Sequence, residues 1–170
     1  MNRAAPIPLF PPIGARLLAP LPAGPLSLVL GRVARTVAER HPAMFARLGP
    51  HAAKRFLIDP TDLPFCFLIR PLPARPRIEA QRRAAAAAWD CRIAGPLAAL
   101  LGMVHGTYDG DALFFSRDIV IEGDTEAALA LRNAIDDAEL DLYAEAAAGL
   151  GAAGRLAGRR LHPLARAASR

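Results

Sequence analysis

The pattern of apolar and polar side chains predicts helices at the beginning of the chain. Apolar side chains recur at helical spacing over residues 25–40, and a short helix is predicted over residues 42–48. Pro25 suits a first helical turn, and Pro42 marks where the longer helix ends. The apolar stripe of the longer helix comprises Leu26, Val29, Leu30, Val33 and Val37. This helix is interpreted as packing on the domain, with contact to an anionic membrane as the alternative.

The middle of the chain follows the two-residue period of β-strands. In residues 63–70 both faces are largely apolar, which favours burial on both sides or the lining of a cavity. In residues 88–94 the alternation predicts that Trp89, Cys91 and Ile93 share one face. Strands are predicted over residues 56–59, 63–70, 77–82, 88–94 and 113–122.

Two more helices are predicted on either side of the last strand. One spans residues 96–105, where leucines and a valine repeat at positions i, i+3, i+4 and i+7. The other spans residues 125–143, with Asp124 suited to cap its first turn. Runs of strands with helices segregated around them predict an α+β fold rather than a doubly wound sheet.

Composition divides the chain into three segments. Residues 1–24 are a proline-rich lead-in, expected to be extended or irregular, and residues 25–143 are the folded domain. Residues 144–170 are expected to be a flexible basic tail. Prolines interrupt the apolar lead-in, which argues against a signal peptide, and no stretch approaches the roughly 20 apolar residues of a membrane span. We therefore expect a cytoplasmic protein that is at most peripheral to the inner membrane.

The basic charge is weak evidence for nucleic-acid binding. The formal net charge is +5, Lys54 is the only lysine, and no basic run is interleaved with aromatic residues. Cys66 and Cys91 form neither a disulfide framework nor a metal motif, and the four histidines lack the spacing of a zinc site. Nucleic acid is therefore not expected as a partner, and no metal is expected.

Catalytic motifs are absent from the sequence. It contains no phosphate-binding glycine loop, no nucleophile elbow and no zinc-protease motif. The acidic run over residues 136–141 is interpreted as a solvated helix face, because carboxylates without a companion ligand set rarely bind a divalent cation. We therefore predict a protein that is not an enzyme and holds no cofactor.

The run LFFSRDIVIEGDTE, residues 113–126, gives the most specific signal in the chain, together with LRNAIDDAE over residues 131–139. Both resemble the C-terminal half of a sterol-carrier-protein-two domain, and within that family its UbiT group. Residues 40–71 and the run CRIAGPLAALLGMVHG are similar to the same group. The resemblance covers about residues 25–143, whereas the lead-in and the tail match nothing.

This resemblance implies a five-stranded mixed sheet, covered by helices and enclosing a hydrophobic lipid tunnel. It also implies an accessory factor of oxygen-independent ubiquinone biosynthesis that binds isoprenoid quinone intermediates. Its protein partners would be the UbiU and UbiV hydroxylase pair and other enzymes of quinone synthesis.

The apolar pattern also selects the side chains that could line such a tunnel. These predicted lipid-binding residues are Leu97, Leu100, Leu101, Val104, Phe115, Ile119, Ile121, Leu131 and Ile135. Two alternatives remain open. One is a general lipid or acyl carrier of the same fold, and the other is a scaffolding or RNA-associated protein that acts through the basic tail.

Overall fold

The computed structural model of the chain describes residues 7–83, 87–104, 117–138 and Glu145. In this part of the chain, helices precede and flank the strands of one sheet. The helices are α1 (Pro12–Leu18), α2 (Ala23–Arg40), α3 (Pro42–Arg47), α4 (Leu97–Val104) and α5 (Thr125–Asp137), with a 3-10 turn at Gly49–Ala53. The strands are β1 (Phe56–Pro60), β2 (Phe65–Arg70), β3 (Arg77–Arg82), β4 (Cys91–Gly95) and β5 (Val120–Gly123).

The five strands form one mixed sheet in the order β3-β2-β1-β4-β5. The central strand β1 pairs antiparallel with β2 and parallel with β4, so that Phe56 lies opposite both Ile69 and Cys91. The outer pairs, β2 with β3 and β4 with β5, are antiparallel. The predicted α+β class with a five-stranded mixed sheet is therefore confirmed.

The two faces of the sheet have different partners. Side chains alternate between the faces along each strand, and Phe56, Cys91 and Ile93 pack into one cluster with residues of the helices. We call this side the helical face. On the opposite face, Leu57 and Leu68 are buried in a smaller cluster. Both faces of β2 are largely buried, as its apolar pattern predicts.

Helix α2 packs along β3, which is an edge strand. The hydroxyl of Ser27 accepts a hydrogen bond from the backbone N–H of Ala80 at 2.9 Å, and lies 3.3 Å from the carbonyl oxygen of Ala80. An edge strand presents unpaired backbone groups that can template association with another chain. The side chain of Ser27 satisfies part of that edge, so the α2 helix both covers and fixes β3.

The lead-in contains a helix that its proline content did not predict. Helix α1 begins at Pro12 inside the proline-rich segment, and α2 begins at Ala23 rather than Pro25. Proline is tolerated in the first turn of a helix, because the N–H it lacks would have no intrahelical partner there. The expectation of an irregular lead-in is therefore wrong over Pro12–Leu18.

The prediction of a strand over residues 113–122 is also wrong in part. Residues 113–116 lie outside the described residues, and Arg117 has a positive φ of 61°, which interrupts an extended backbone. The strand begins at Val120. Helix α4 ends at Val104, and α5 is described to Asp137 with Ala138 as its C-cap, so residues 105 and 139–143 of the predicted helices lie outside the described residues.

The alternation of residues 88–94 predicts that Trp89 shares a face of the sheet with Cys91 and Ile93. In the structure, Trp89 lies on the opposite face from these two residues. Strand β4 begins at Cys91, and the indole of Trp89 packs against the Leu57 cluster on the opposite face. Between them, Asp90 is held outside the strand, where its carboxylate accepts from the backbone N–H of Arg55 at 2.8 Å. The two-residue period therefore does not extend back to Trp89.

Glu145 is the one residue of the predicted basic tail that the structure describes. It is buried, and its carboxylate pairs with Arg40 and His41 at the end of α2. The other residues of the predicted tail lie outside the described residues.

No described helix is by itself long and apolar enough to cross a bilayer. Helices α1 and α2 meet that criterion only as a pair, with a bend of 100° between them.

We expect Gly123→Ala to destabilise the protein by about 2 kcal/mol or more. Gly123 has φ +81°, and a Cβ there would collide with the carbonyl oxygen of Asp90. Gly31→Ala is the matched control, because a Cβ at this position of α2 would have no neighbour within 4 Å. That variant should gain about 0.5–1 kcal/mol of helix stability. Urea unfolding of both variants measures the difference, and an equally stable Gly123→Ala protein would show that this turn is not constrained.

Candidate functional site

The structure brings five of the nine predicted lipid-binding residues into one apolar cluster. Leu100 on α4, Ile119 before β5 and Leu131 on α5 are buried in it, with 3–7% of their surfaces exposed. Ile121 and Ile135 are partly buried and pack against the same cluster. The cluster lies between the helices and the helical face of the sheet, where it also includes Phe56 and Ile93. We call it the apolar interior.

The other four predicted residues are placed less closely. Leu97 and Leu101 lie on α4 and are half-buried. Val104 ends the same helix, but its side chain is outside what the structure describes, and Phe115 lies outside the described residues. Helix α4 therefore contributes Leu100 to the apolar interior and leaves Leu97 and Leu101 nearer its boundary.

Three further side chains close the apolar interior from the N-terminal side. Met44 and Phe45 on α3, followed by Leu48, are all buried in the cluster. Phe45 and Leu48 follow Met44 by one and four positions, which is typical of one side of a helix. These residues could therefore have been predicted from the sequence to face the interior. Methionine is unbranched and fits irregular space; Met44 is part of this cluster and Met103 packs against it. The interior therefore includes two side chains that are more flexible than leucine or phenylalanine.

Gly95 allows the approach that brings Ile119 into the interior. It ends β4, and a Cβ at this position would lie 2.5 Å from the carbonyl oxygen of Asp118 and 3.2 Å from Cγ1 of Ile119. Real Cβ atoms do not come so close to backbone oxygen. A glycine is thus required here, and no local pattern indicates it, because the contact joins segments more than 20 residues apart.

The apolar interior is electrically neutral where it is described. Burial raises the pKa of the Cys91 thiol to about 11, so the thiol stays protonated at physiological pH. Among the described residues, the buried charged side chains are Asp59 and Glu145. Asp59 points to the opposite face of the sheet, and Glu145 is paired at 3.1 Å with both Arg40 and His41. Among the described residues, the apolar interior therefore contains no charged side chain.

Asp59 is the centre of an ion-pair network on the opposite face of the sheet. Its carboxylate accepts from Nε of Arg83 at 2.9 Å and from Nη2 of Arg92 at 2.6 Å, and Arg92 also pairs with Glu122. Burial would raise the pKa of Asp59, but the hydrogen bonds from Arg92 and Arg83 outweigh it and lower the pKa. A carboxylate saturated in this way is a poor general base at neutral pH. The network therefore ties β1, β4 and β5 together.

A separate cleft of about 680 Å³ opens between the end of α3 and helix α5. Its walls include His51 and Asn133, and Arg47 forms an ion pair with Asp137 across it. None of the predicted lipid-binding residues that the structure describes lines this cleft. It is polar and open, and it shares Leu48 and Ala134 with the apolar interior.

The acidic run at the end of α5 is solvated where the structure describes it. Asp136 lies 3.5 Å from Arg132 one turn earlier, and both Asp136 and Asp137 are exposed. Within the described ranges, no group of three or more histidine, cysteine or acidic side chains could hold a metal ion. The carboxylates thus act as helix-surface charges.

Asp62 joins the lead-in to helix α4, and sequence reasoning missed it. One carboxylate oxygen accepts from the backbone N–H of Phe10 at 2.8 Å, and the other accepts from the N–H of Leu97 at 2.9 Å. The second bond satisfies an N–H in the first turn of α4, which has no partner within the helix. Asp62 therefore fixes both the N-terminal segment and the helix that carries Leu97, Leu100 and Leu101.

We expect Asp62→Ala to lose about 1–2 kcal/mol of stability, since it removes a helix cap and a second backbone hydrogen bond. The amide protons of Phe10 and Leu97 should exchange faster, while the central strands keep their protection. Thr61→Ala is the control, because Thr61 is exposed and uses only its backbone N–H, which donates to Gly95. Hydrogen-exchange mass spectrometry distinguishes the two, and unchanged exchange in Asp62→Ala would contradict the assigned role.

A solved structure shares this fold. The structure of the UbiJ-SCP2 ubiquinone synthesis protein aligns with a TM-score of 0.55 and 19% identity, covering 71% of this chain and 98% of that chain. Sterol carrier protein 2 from Yarrowia lipolytica, in its apo form, aligns with a TM-score of 0.48 and 10% identity, covering 73% and 99%. At these identities the likeness concerns the fold alone. A search of functionally curated proteins found no match.

Sequence comparison gives the family directly. Residues 34–136, which include α3, all five strands, α4 and most of α5, match the SCP-2 sterol transfer family. The match covers more than half of the chain. It includes all described residues of the apolar interior except Ile7, Val33 and Ala138. The chain therefore belongs to the SCP-2 sterol transfer family and carries its lipid-binding domain.

Proposed function

We propose that the chain is a non-catalytic accessory factor of oxygen-independent ubiquinone biosynthesis that holds polyprenylated quinone precursors in its apolar interior. The observation that carries the proposal is the gathering of Leu100, Ile119 and Leu131 against β4, with no buried charge among the described side chains there. The family match supports the binding of a lipid. The run over residues 113–126, which resembles the UbiT group, supports the choice of the quinone pathway.

A polyprenyl tail gives a physical reason for such a carrier. Each isoprene unit has five carbons, and its transfer from water to an apolar medium is worth on the order of 4 kcal/mol at about 0.8 kcal/mol per carbon group. A precursor with several units therefore remains in a membrane unless a protein shields it. A domain that covers the tail and leaves the ring exposed would present that ring to the UbiU and UbiV hydroxylase pair or other enzymes of the pathway.

A transfer assay tests this proposal. Donor vesicles that contain a polyprenylated phenol are mixed with the protein, which is then separated and its bound phenol measured. We expect uptake close to one molecule per chain, no uptake of the same phenol without its tail, and little competition from a fatty acid. Equal binding of fatty acid and polyprenylated phenol would replace the quinone assignment with a general lipid carrier. An absence of all binding would refute the carrier function.

A further inference from the structure

The N-terminal residues display large apolar side chains to solvent. Eight large hydrophobic side chains are exposed in the described part of the chain, and five of them lie between residues 9 and 28. Their exposed fractions range from 50 to 72%. We call this set the N-terminal apolar surface, and it comprises Leu9, Ile13, Leu17, Leu21 and Leu28. A concentration of this kind marks an interaction site, whereas single exposed leucines do not.

Helix α1 adds nothing buried to the domain, yet the residues that precede it are attached to the domain. None of its side chains is buried, and Ile13 and Leu17 lie one turn apart on its outer side, 72% and 71% exposed. A seven-residue helix is not stable alone in water. It is anchored at its start by the bond from Phe10 to Asp62, and by Ile7, which packs against the apolar interior. The fold thus positions α1 with its apolar side outward.

The charged side chains that the N-terminal segment itself supplies are all positive. Residues 1–38 contain four arginines and no acidic residue, and the first carboxylate in the chain is Glu39. On α2, Leu28 is followed by Arg32 and Arg35 at helical spacing of four and seven positions, so the three form one exposed stripe. Neither arginine pairs with another described residue, and neither does Arg16 on α1. These guanidinium groups are available for anions outside the chain.

From this arrangement we propose that the N-terminal apolar surface docks on an anionic lipid bilayer. Apolar side chains flanked by arginine suit the boundary between acyl chains and acidic headgroups. A second copy of this chain fits less well, because two such surfaces would face each other with like charge. The surface lies N-terminal to the family match, which begins at residue 34, and so it is additional to the lipid-binding domain.

Vesicle flotation tests the docking surface. The full chain is mixed with vesicles of phosphatidylcholine, or of phosphatidylcholine with phosphatidylglycerol, and the bound fraction is measured. We expect binding to the anionic vesicles that salt weakens, and a loss of about tenfold or more in the I13S/L17S double variant. The matched control is L72S/L129S, which removes two exposed leucines elsewhere and should bind like the wild type. R32Q/R35Q should lose the preference for anionic vesicles.

Three results would overturn the proposal. The first is that the wild type does not bind anionic vesicles. The second is that I13S/L17S and the wild type bind equally. The third is that the wild type is a dimer that binds no vesicles, and that I13S/L17S is a monomer. Circular dichroism and the lipid content of I13S/L17S separate this proposal from the carrier function. If I13S/L17S is folded and keeps its bound lipid but no longer binds the vesicles, docking is confirmed independently of what the apolar interior holds.

Discussion

Asp59→Ala should lower the free energy of unfolding by about 3 kcal/mol, the largest loss we expect from one polar substitution. The carboxylate is 2% exposed and binds the guanidinium groups of both Arg83 and Arg92. Its removal takes the buried carboxylate away from both cations, although Arg92 keeps its ion pair with Glu122. The expected loss is at the lower end of the range for breaking a buried ion pair. The reason is that the side chains of Arg83 and Arg92 are 45% and 26% exposed and can still reach water. Urea unfolding at neutral pH measures it.

Glu122→Gln is the matched control for Asp59→Ala. It removes a second carboxylate that pairs with the same Arg92, but the side chain of Glu122 is 46% exposed. An exposed ion pair is worth at most about 1 kcal/mol. Equal losses in the two variants would show that burial of Asp59 does not determine the strength of the network.

The carboxylate of Asp59 also makes the free energy of unfolding depend on pH. Hydrogen bonds from Arg92 and Arg83 lower the pKa of Asp59 in the fold despite its burial. Stability from a group with a lowered folded pKa is fully present above the unfolded pKa of about 4, and it is lost as the pH falls through the folded pKa. We therefore expect the difference between wild type and Asp59→Ala to shrink only below about pH 4. A difference that shrinks near pH 6 would point to a histidine instead.

Leu101→Trp should reduce the lipid bound per chain by about tenfold or more while the protein remains folded. Leu101 is half-buried on α4, next to the buried Leu100. A tryptophan at such a boundary position can fill space that a guest would otherwise occupy. Since Leu101 is not part of the fully buried cluster, the larger ring should not disrupt the core.

Leu129→Trp is the control for this effect. Leu129 lies on α5 and is 56% exposed, so the same enlargement adds surface without entering the interior. Mass spectrometry of the bound lipid and thermal unfolding are measured on both variants. A wild-type lipid content in Leu101→Trp would show that α4 is not part of the binding site. If the melting curve shows that Leu101→Trp is unfolded, Leu101→Phe is measured in its place.

The elements that depend on local pattern could be predicted from the sequence. The strands β1, β2 and β3 were predicted, β2 from the alternation of its side chains, and Asp124 caps α5 as expected, since its side chain accepts from the N–H of Ala127 at 2.9 Å. Periodicity and capping act over a few residues, so they can be recognised in a single sequence. The apolar repeats on α4 and α5 likewise predicted that Leu100 and Leu131 lie close together, and both are in one cluster.

The features that sequence reasoning missed depend on contacts between distant segments. Asp59 meets Arg92 across 33 positions, and Asp62 meets Leu97 across 35. Nothing local indicates that β1 and β4 run side by side in parallel, which is what brings these pairs together. The positive φ of Arg117 is similarly hidden in a run that alternates like a strand. The family resemblance supplied the global arrangement that local rules could not.

The central claim is that the apolar interior holds a polyprenylated quinone precursor. The most direct test is mass spectrometry of an organic extract from the protein, purified under gentle conditions from its own host grown without oxygen. We expect a polyprenylated phenol or quinone at close to one molecule per chain. An extract that holds only phospholipid or fatty acid, or that is empty on repetition, would contradict the claim.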